Sequence, residues 1–70
     1  MTKGQYNRIK AVLAEKGVTN KELAEALKIA PQTVSRWCTN DIQPSVETLY
    51  FISRYLKIDV RELLIPTNWS

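Results

Sequence analysis

Histidine is missing altogether, and cysteine occurs once, as Cys38. A lone cysteine forms no intrachain disulfide, and without histidine no Cys/His zinc set can be assembled. The same gap removes the commonest general base and the usual activator of a nucleophile. Glycine and proline are scarce too, at two and three of 70 residues, against 44% hydrophobic and 24% charged. That composition belongs to a folded chain, not a disordered one. No apolar run is long enough to cross a membrane, and no basic-then-apolar leader opens the chain. The expectation is a soluble cytoplasmic protein without a cofactor or a membrane partner.

At this length one domain, residues 1–70, is all that fits, and it hides only about 60% of its extended surface. With no metal or disulfide to staple it, stability must come from packed helices or from a partner subunit. Charge is uneven along the chain. Residues 1–36 hold seven basic side chains against three acidic ones, and residues 37–70 hold three against four. A basic half suits a polyanion, but ordinary solvated lysines would give the same tally. Charge alone does not decide.

Local signals divide the chain into five short helices and no strand, an all-α fold. Ile9, Val12 and Leu13, with Tyr6 before them, recur at helical spacing, and Gly17 closes the segment. Thr19 and Glu22 form a capping box ahead of Leu23, Ala24 and Leu27. Pro31 suits the first position of a third helix, and Asn40 tolerates the left-handed conformation that closes one. Ser45 caps a fourth helix whose inner face takes Val46, Leu49, Ile52, Ser53 and Leu56. Asp59 and Glu62 form a second box, opening a fifth helix through Leu63 and Leu64. Residues 66–70 lack periodicity and are expected to fray.

The informative stretch is Thr19–Trp37, two short helices joined by only Lys28-Ile29-Ala30. Ile29 is apolar and can plug the angle between them. On the second of these helices Val34 and Trp37 are spaced to face the core, while Gln32, Thr33 and Arg36 share the outward face. Arginine can donate a fork to guanine O6 and N7, and glutamine can pair with adenine N6 and N7. Threonine offers a hydroxyl and a methyl. Taken singly, each is also an ordinary exposed helix residue.

The order Arg8-Ile9-Lys10, Gly17, Thr19-x-x-Glu22-Leu23-Ala24, Thr33-Val34-Ser35-Arg36-Trp37, Pro44-Ser45-x-Glu47-Thr48-Leu49 and Asp59-Val60-Arg61-Glu62-Leu63-Leu64 resembles the lambda-repressor and Cro-like (XRE family) helix-turn-helix domains. The resemblance runs from about Asn7 to Leu64. It implies a compact five-helix fold whose third helix enters the major groove of double-stranded DNA, with base contacts from Gln32, Thr33 and Arg36. It implies phosphate contacts from Asn20 and Lys21 at the start of helix 2 and from Thr39 and Asn40 after helix 3. A transcriptional regulator follows, a repressor before an activator. Two departures stand out. Ala30 replaces the family's usual Ser or Thr cap of helix 3, and Asp41 places a negative charge in a loop expected to face phosphates.

Other candidates have plainer explanations. Cys38 has no histidine to activate it, so a packed structural thiol is expected. Trp37 could stack on a base, but its spacing from Val34 points to the core. Glu15, Glu22 and Glu25 are accounted for by capping and solvation, so no enzyme is expected. Phe51 and Tyr55 lie four apart on a helix whose inner face is already filled. With Ile65 and Trp69 they are the candidates for a homodimer contact on a palindromic operator; packing against the chain's own tail is the alternative. A second class of function, an antitoxin or other protein-interaction module on the same scaffold, would use such a face for a toxin partner.

Overall fold

The computed structural model describes residues 4–67 and Trp69. It contains α1 (Ile9–Lys16), α2 (Asn20–Leu27), α3 (Pro31–Cys38), α4 (Val46–Leu56) and a single 3₁₀ turn, Val60–Leu63. Among the described residues the only extended pairing is one antiparallel bridge, Asn7 with Leu64.

Three of the helices close by one device. Gly17, Lys28 and Lys57 each take the left-handed conformation, with φ of 66°, 58° and 57°. The next residue then sends its N–H back to a carbonyl of the last turn: Val18 to Leu13 at 2.9 Å, Ile29 to Ala24 at 3.0 Å and Ile58 to Ser53 at 3.0 Å. Each of these apolar residues packs against the core as it does so. Ile29 therefore plugs the α2–α3 angle as expected. With glycine so scarce, lysine fills two positions where a side chain costs about 1 kcal/mol.

Both capping boxes form, at Thr19/Glu22 and Asp59/Glu62, and Ser45 caps α4 by accepting from Thr48 N–H at 3.1 Å. The core joins Ile9, Val12 and Leu13 of α1 to Leu23 and Ala24 of α2, Val34 and Trp37 of α3, Leu49, Ile52 and Leu56 of α4, and Leu63. Ser53 is also buried, and its hydroxyl donates to the Tyr50 carbonyl at 2.7 Å. Truncating a wholly buried member such as Leu23 or Ile52 costs about 2–5 kcal/mol, a large part of the roughly 4–10 kcal/mol open to so small a domain.

The structure corrects three expectations. The fifth helix is a four-residue 3₁₀ turn, and Leu64 lies outside it and exposed. The chain leaves the turn to pair with the N-terminal segment: Arg8 N–H donates to Leu63 O at 2.9 Å, and Ile65 N–H to Tyr6 O at 3.0 Å. Tyr6 therefore stands before α1, exposed and outside the helix. Val46 is 69% exposed because it is the first residue of α4, before the helix meets the core. Of the tail, Pro66, Thr67 and Trp69 are exposed, while Asn68 and Ser70 lie outside the described residues.

Asn7 is the buried polar residue that the sequence did not flag, at 3% exposure. Its Oδ1 accepts from Ile9 N–H at 3.0 Å, starting α1, and its Nδ2 donates to Trp37 O at 3.0 Å and Gln43 Oε1 at 2.7 Å. Every polar atom buried among the described side chains has a partner.

Candidate nucleic-acid interface

Two short helices at a fixed angle form this face. Thr19 Oγ1 accepts from Glu22 N–H at 3.1 Å and Glu22 Oε1 from Thr19 N–H at 3.0 Å, so α2 begins sharply. After the Lys28 closure the chain turns at Ala30, and α3 starts on Pro31 with no side-chain cap. Pro31 has no N–H to satisfy, which leaves one fewer orphan donor at this start.

On α3, Val34 and Trp37 are 0% and 5% exposed, while Gln32 and Arg36 are exposed. Thr33, expected beside them, is half-buried. Ser35 is exposed and completes a strip with Gln32, Arg36 and Thr39 at positions i, i+3, i+4 and i+7. Its helical register with Gln32 is legible in the sequence, although a neutral hydroxyl on an exposed face carries no further signal there.

Lys21 stands exposed at the start of α2. Asn20 and Thr39 come together in one cleft with Ser35, Cys38 and Lys10 of α1. Cys38 Sγ–H donates to Asn20 Oδ1 at 3.5 Å, tying the end of α3 to the start of α2. Burial pushes the Cys38 thiol above its ordinary value, outweighing the opposing charge of Lys10, so the thiol stays protonated and unreactive at neutral pH. Lys10 is thus a cation beside the predicted phosphate contacts that sequence reasoning had not assigned.

Asn40 has another task. With φ of 60° it closes the end of α3, and its Oδ1 accepts from Tyr6 N–H at 2.9 Å and Asn7 N–H at 3.0 Å. Its Nδ2 donates to Asn7 O at 3.1 Å. The side chain is a bracket between the N-terminal segment and the loop after α3.

Asp41 is held against Arg36, with Oδ2 accepting from Nε at 2.7 Å. The unwelcome charge of the loop is therefore directed at the arginine of the exposed strip. Among the described residues no group of three or more Cys, Asp or Glu side chains is placed to hold a metal.

The four residues expected at a subunit contact fall in two places. Phe51 and Tyr55, 48% and 44% exposed, line a shallow groove with Ala26 and Leu27 of α2 and Arg54. Ile65 is half-buried and lines a separate cleft with Gln5, Tyr6, Leu64, Thr67 and Trp69, the last 91% exposed. Trp69 thus lines that second cleft, which shares no residue with the groove of the aromatic pair.

Two short helices locked by a tight turn, the second presenting a polar strip away from its packed side, define a helix-turn-helix domain. The chain belongs to the XRE-type helix-turn-helix family, whose sequence model matches residues 9–63. It is similar to a solved candidate DNA-binding protein from Bacteroides fragilis, 47% identical, with a TM-score of 0.83 over 84% of this chain and 95% of that one. A transcriptional regulator from Listeria innocua shares the fold, with a TM-score of 0.75 at 22% identity over 94% of this chain and 66% of that one. The CI repressor protein of Enterobacteria phage phi80 is 50% identical over 34 residues, 49% of this chain. The match covers 14% of that repressor's length.

Proposed function

We propose that the chain binds double-stranded DNA sequence-specifically in the cytoplasm and regulates transcription, acting as a repressor. In this reading α3 lies in the major groove and the start of α2 crosses the backbone. The observation that carries it is the division of α3: Val34 and Trp37 anchor the helix while Gln32, Ser35 and Arg36 stand exposed, with Thr33 at their edge. Gln32, Thr33 and Arg36 contact base edges, and Ser35 joins them. Asn20, Lys21, Thr39 and Lys10 meet phosphates, while Asn40 holds the loop between them in place. The family membership and the similarity to a phage repressor support the same reading.

One such helix covers too few base pairs to define a unique site, so two copies pair on a palindromic operator with their α3 helices about 34 Å apart. The Phe51–Tyr55 groove is the contact we favour, since two neighbouring aromatics stand there half in solvent. Ile65 and Trp69 line a separate cleft and are not part of this groove. The same exposed pair supports the second reading, a toxin or other protein partner; copurification of such a protein, lost on Phe51→Glu, would favour it.

Selection of bound duplexes from a random pool tests the proposal. The expected result is an enriched two-fold-symmetric motif whose half-sites lie about 10 base pairs apart. Recovery of an unenriched pool at physiological salt would overturn sequence-specific binding.

A further inference from the structure

The loop after α3 carries Asp41 back onto the exposed strip along backbone that is already tied to Arg36. Asp41 N–H donates to the Arg36 carbonyl at 2.9 Å, Ile42 N–H reaches the same oxygen at 3.3 Å, and Thr39 Oγ1 donates to it at 3.2 Å. The carboxylate so delivered accepts from Nε, not from the terminal nitrogens, at 2.7 Å. That is the short end of the range for a charge-assisted bond. The two side chains are 57% and 27% exposed, so solvent screens the pair and it adds little to stability. Its consequence is geometric. A guanidinium is planar and carries its five donors in a fixed fork, so a bond at Nε sets the plane and leaves the two Nη groups for another partner. Guanine presents O6 and N7 to such a fork.

We propose that Asp41 is a specificity-positioning residue: it orients the Arg36 guanidinium so that the Nη fork selects guanine, and its charge disfavours contact of the same arginine with phosphate. The inference rests on Arg36 contacting a base. Asp41 itself touches no DNA. It resolves the oddity of an acid in a loop near the backbone, because part of the general attraction is exchanged for discrimination at one base pair.

The test uses the full chain and a duplex drawn from the selection described above. Affinity is measured for each of the four base pairs at the position that depends on Arg36, and for random duplex, with wild type, Arg36→Ala, Asp41→Ala, Asp41→Asn and the Arg36→Ala/Asp41→Ala double variant. Arg36→Ala should flatten the guanine preference at that position by about tenfold. Asp41→Ala should flatten it to a similar degree while binding to random duplex becomes a few-fold tighter, on the order of one screened charge. Asp41→Asn, which keeps a neutral acceptor, should lose less, and adding Asp41→Ala to Arg36→Ala should leave that position unchanged. A full guanine preference in Asp41→Ala beside a lost one in Arg36→Ala would overturn the positioning role and leave the base contact standing. Equal weakening at every position would reduce Asp41 to a structural role and overturn it too. If Arg36→Ala leaves the preference intact, the base contact itself fails, and the inference with it.

Discussion

Asn40→Ala separates a structural bracket from a phosphate contact. The side chain makes two partly buried hydrogen bonds to Asn7, accepting from its N–H at 3.0 Å and donating to its carbonyl at 3.1 Å. Two further bonds, from Tyr6 N–H at 2.9 Å and Gln43 Nε2 at 3.2 Å, are exposed and count for little. At about 1 kcal/mol for each partly buried bond, the loss is about 2 kcal/mol. Alanine at a φ of 60° adds about 1 kcal/mol. The expected destabilisation is therefore about 3 kcal/mol, a lowering of Tm by roughly 12–24 °C in a domain of this size. Circular dichroism with thermal and urea unfolding measures it, and Asn40→Gly dissects it, because glycine relieves the backbone and still loses the bonds. Asn40→Gly should fall between Asn40→Ala and wild type, and affinity for random duplex, measured well below the transition, should stay within about twofold. A stable Asn40→Ala protein that binds DNA several-fold more weakly would refute the reasoning and return Asn40 to the phosphate contacts.

Lys57→Gly should raise stability by about 0.5–1 kcal/mol, since the lysine holds a left-handed φ that glycine adopts freely; a loss in urea unfolding would show that its side chain supports the helix end. The Asp59 carboxyl is held below its ordinary value chiefly by the Arg61 side chain, with help from the Arg61 N–H. Its contribution is thus present above the unfolded value of about 3.9 and lost as pH falls through the lower folded one. Asp59→Asn keeps a capping acceptor but not the charge, so its urea midpoint should lie slightly below wild type near neutrality and converge with it in acid; parallel acid limbs would contradict the assignment. Phe51→Glu with Tyr55→Glu should leave the fold intact and abolish cooperative loading of two copies on a two-half-site duplex, read by sedimentation; unchanged cooperativity places the dimer contact elsewhere.

Much of the fold was legible because its punctuation is local. Thr19/Glu22, Ser45 and Asp59/Glu62 act within one turn of themselves, and the spacing of Val34 and Trp37 settles which side of α3 is packed. What the sequence concealed depends on distant partners. Nothing near Asn7 or Asn40 announces that they bond each other across 33 residues, so the sequence shows Asn40 as the left-handed close of α3 and a phosphate contact but not as a bracket to Asn7. The fifth helix stops after four residues because Leu63 and Ile65 pair with the N-terminal segment, a competitor that no window around Asp59 contains. Lys10 gained its place beside Thr39 only when α1 packed on α3. The Arg36–Asp41 pair sits five apart, yet only the turn at Asn40 brings the carboxylate back.

Backbone amide shifts during titration of the isotopically labelled protein with its selected duplex test the central claim most directly. The account predicts that the largest changes fall on Gln32, Thr33, Ser35 and Arg36 of α3 and on Asn20 and Lys21 of α2, with smaller ones at Lys10 and Thr39. Changes concentrated instead around Phe51 and Tyr55, with α3 undisturbed, would contradict it.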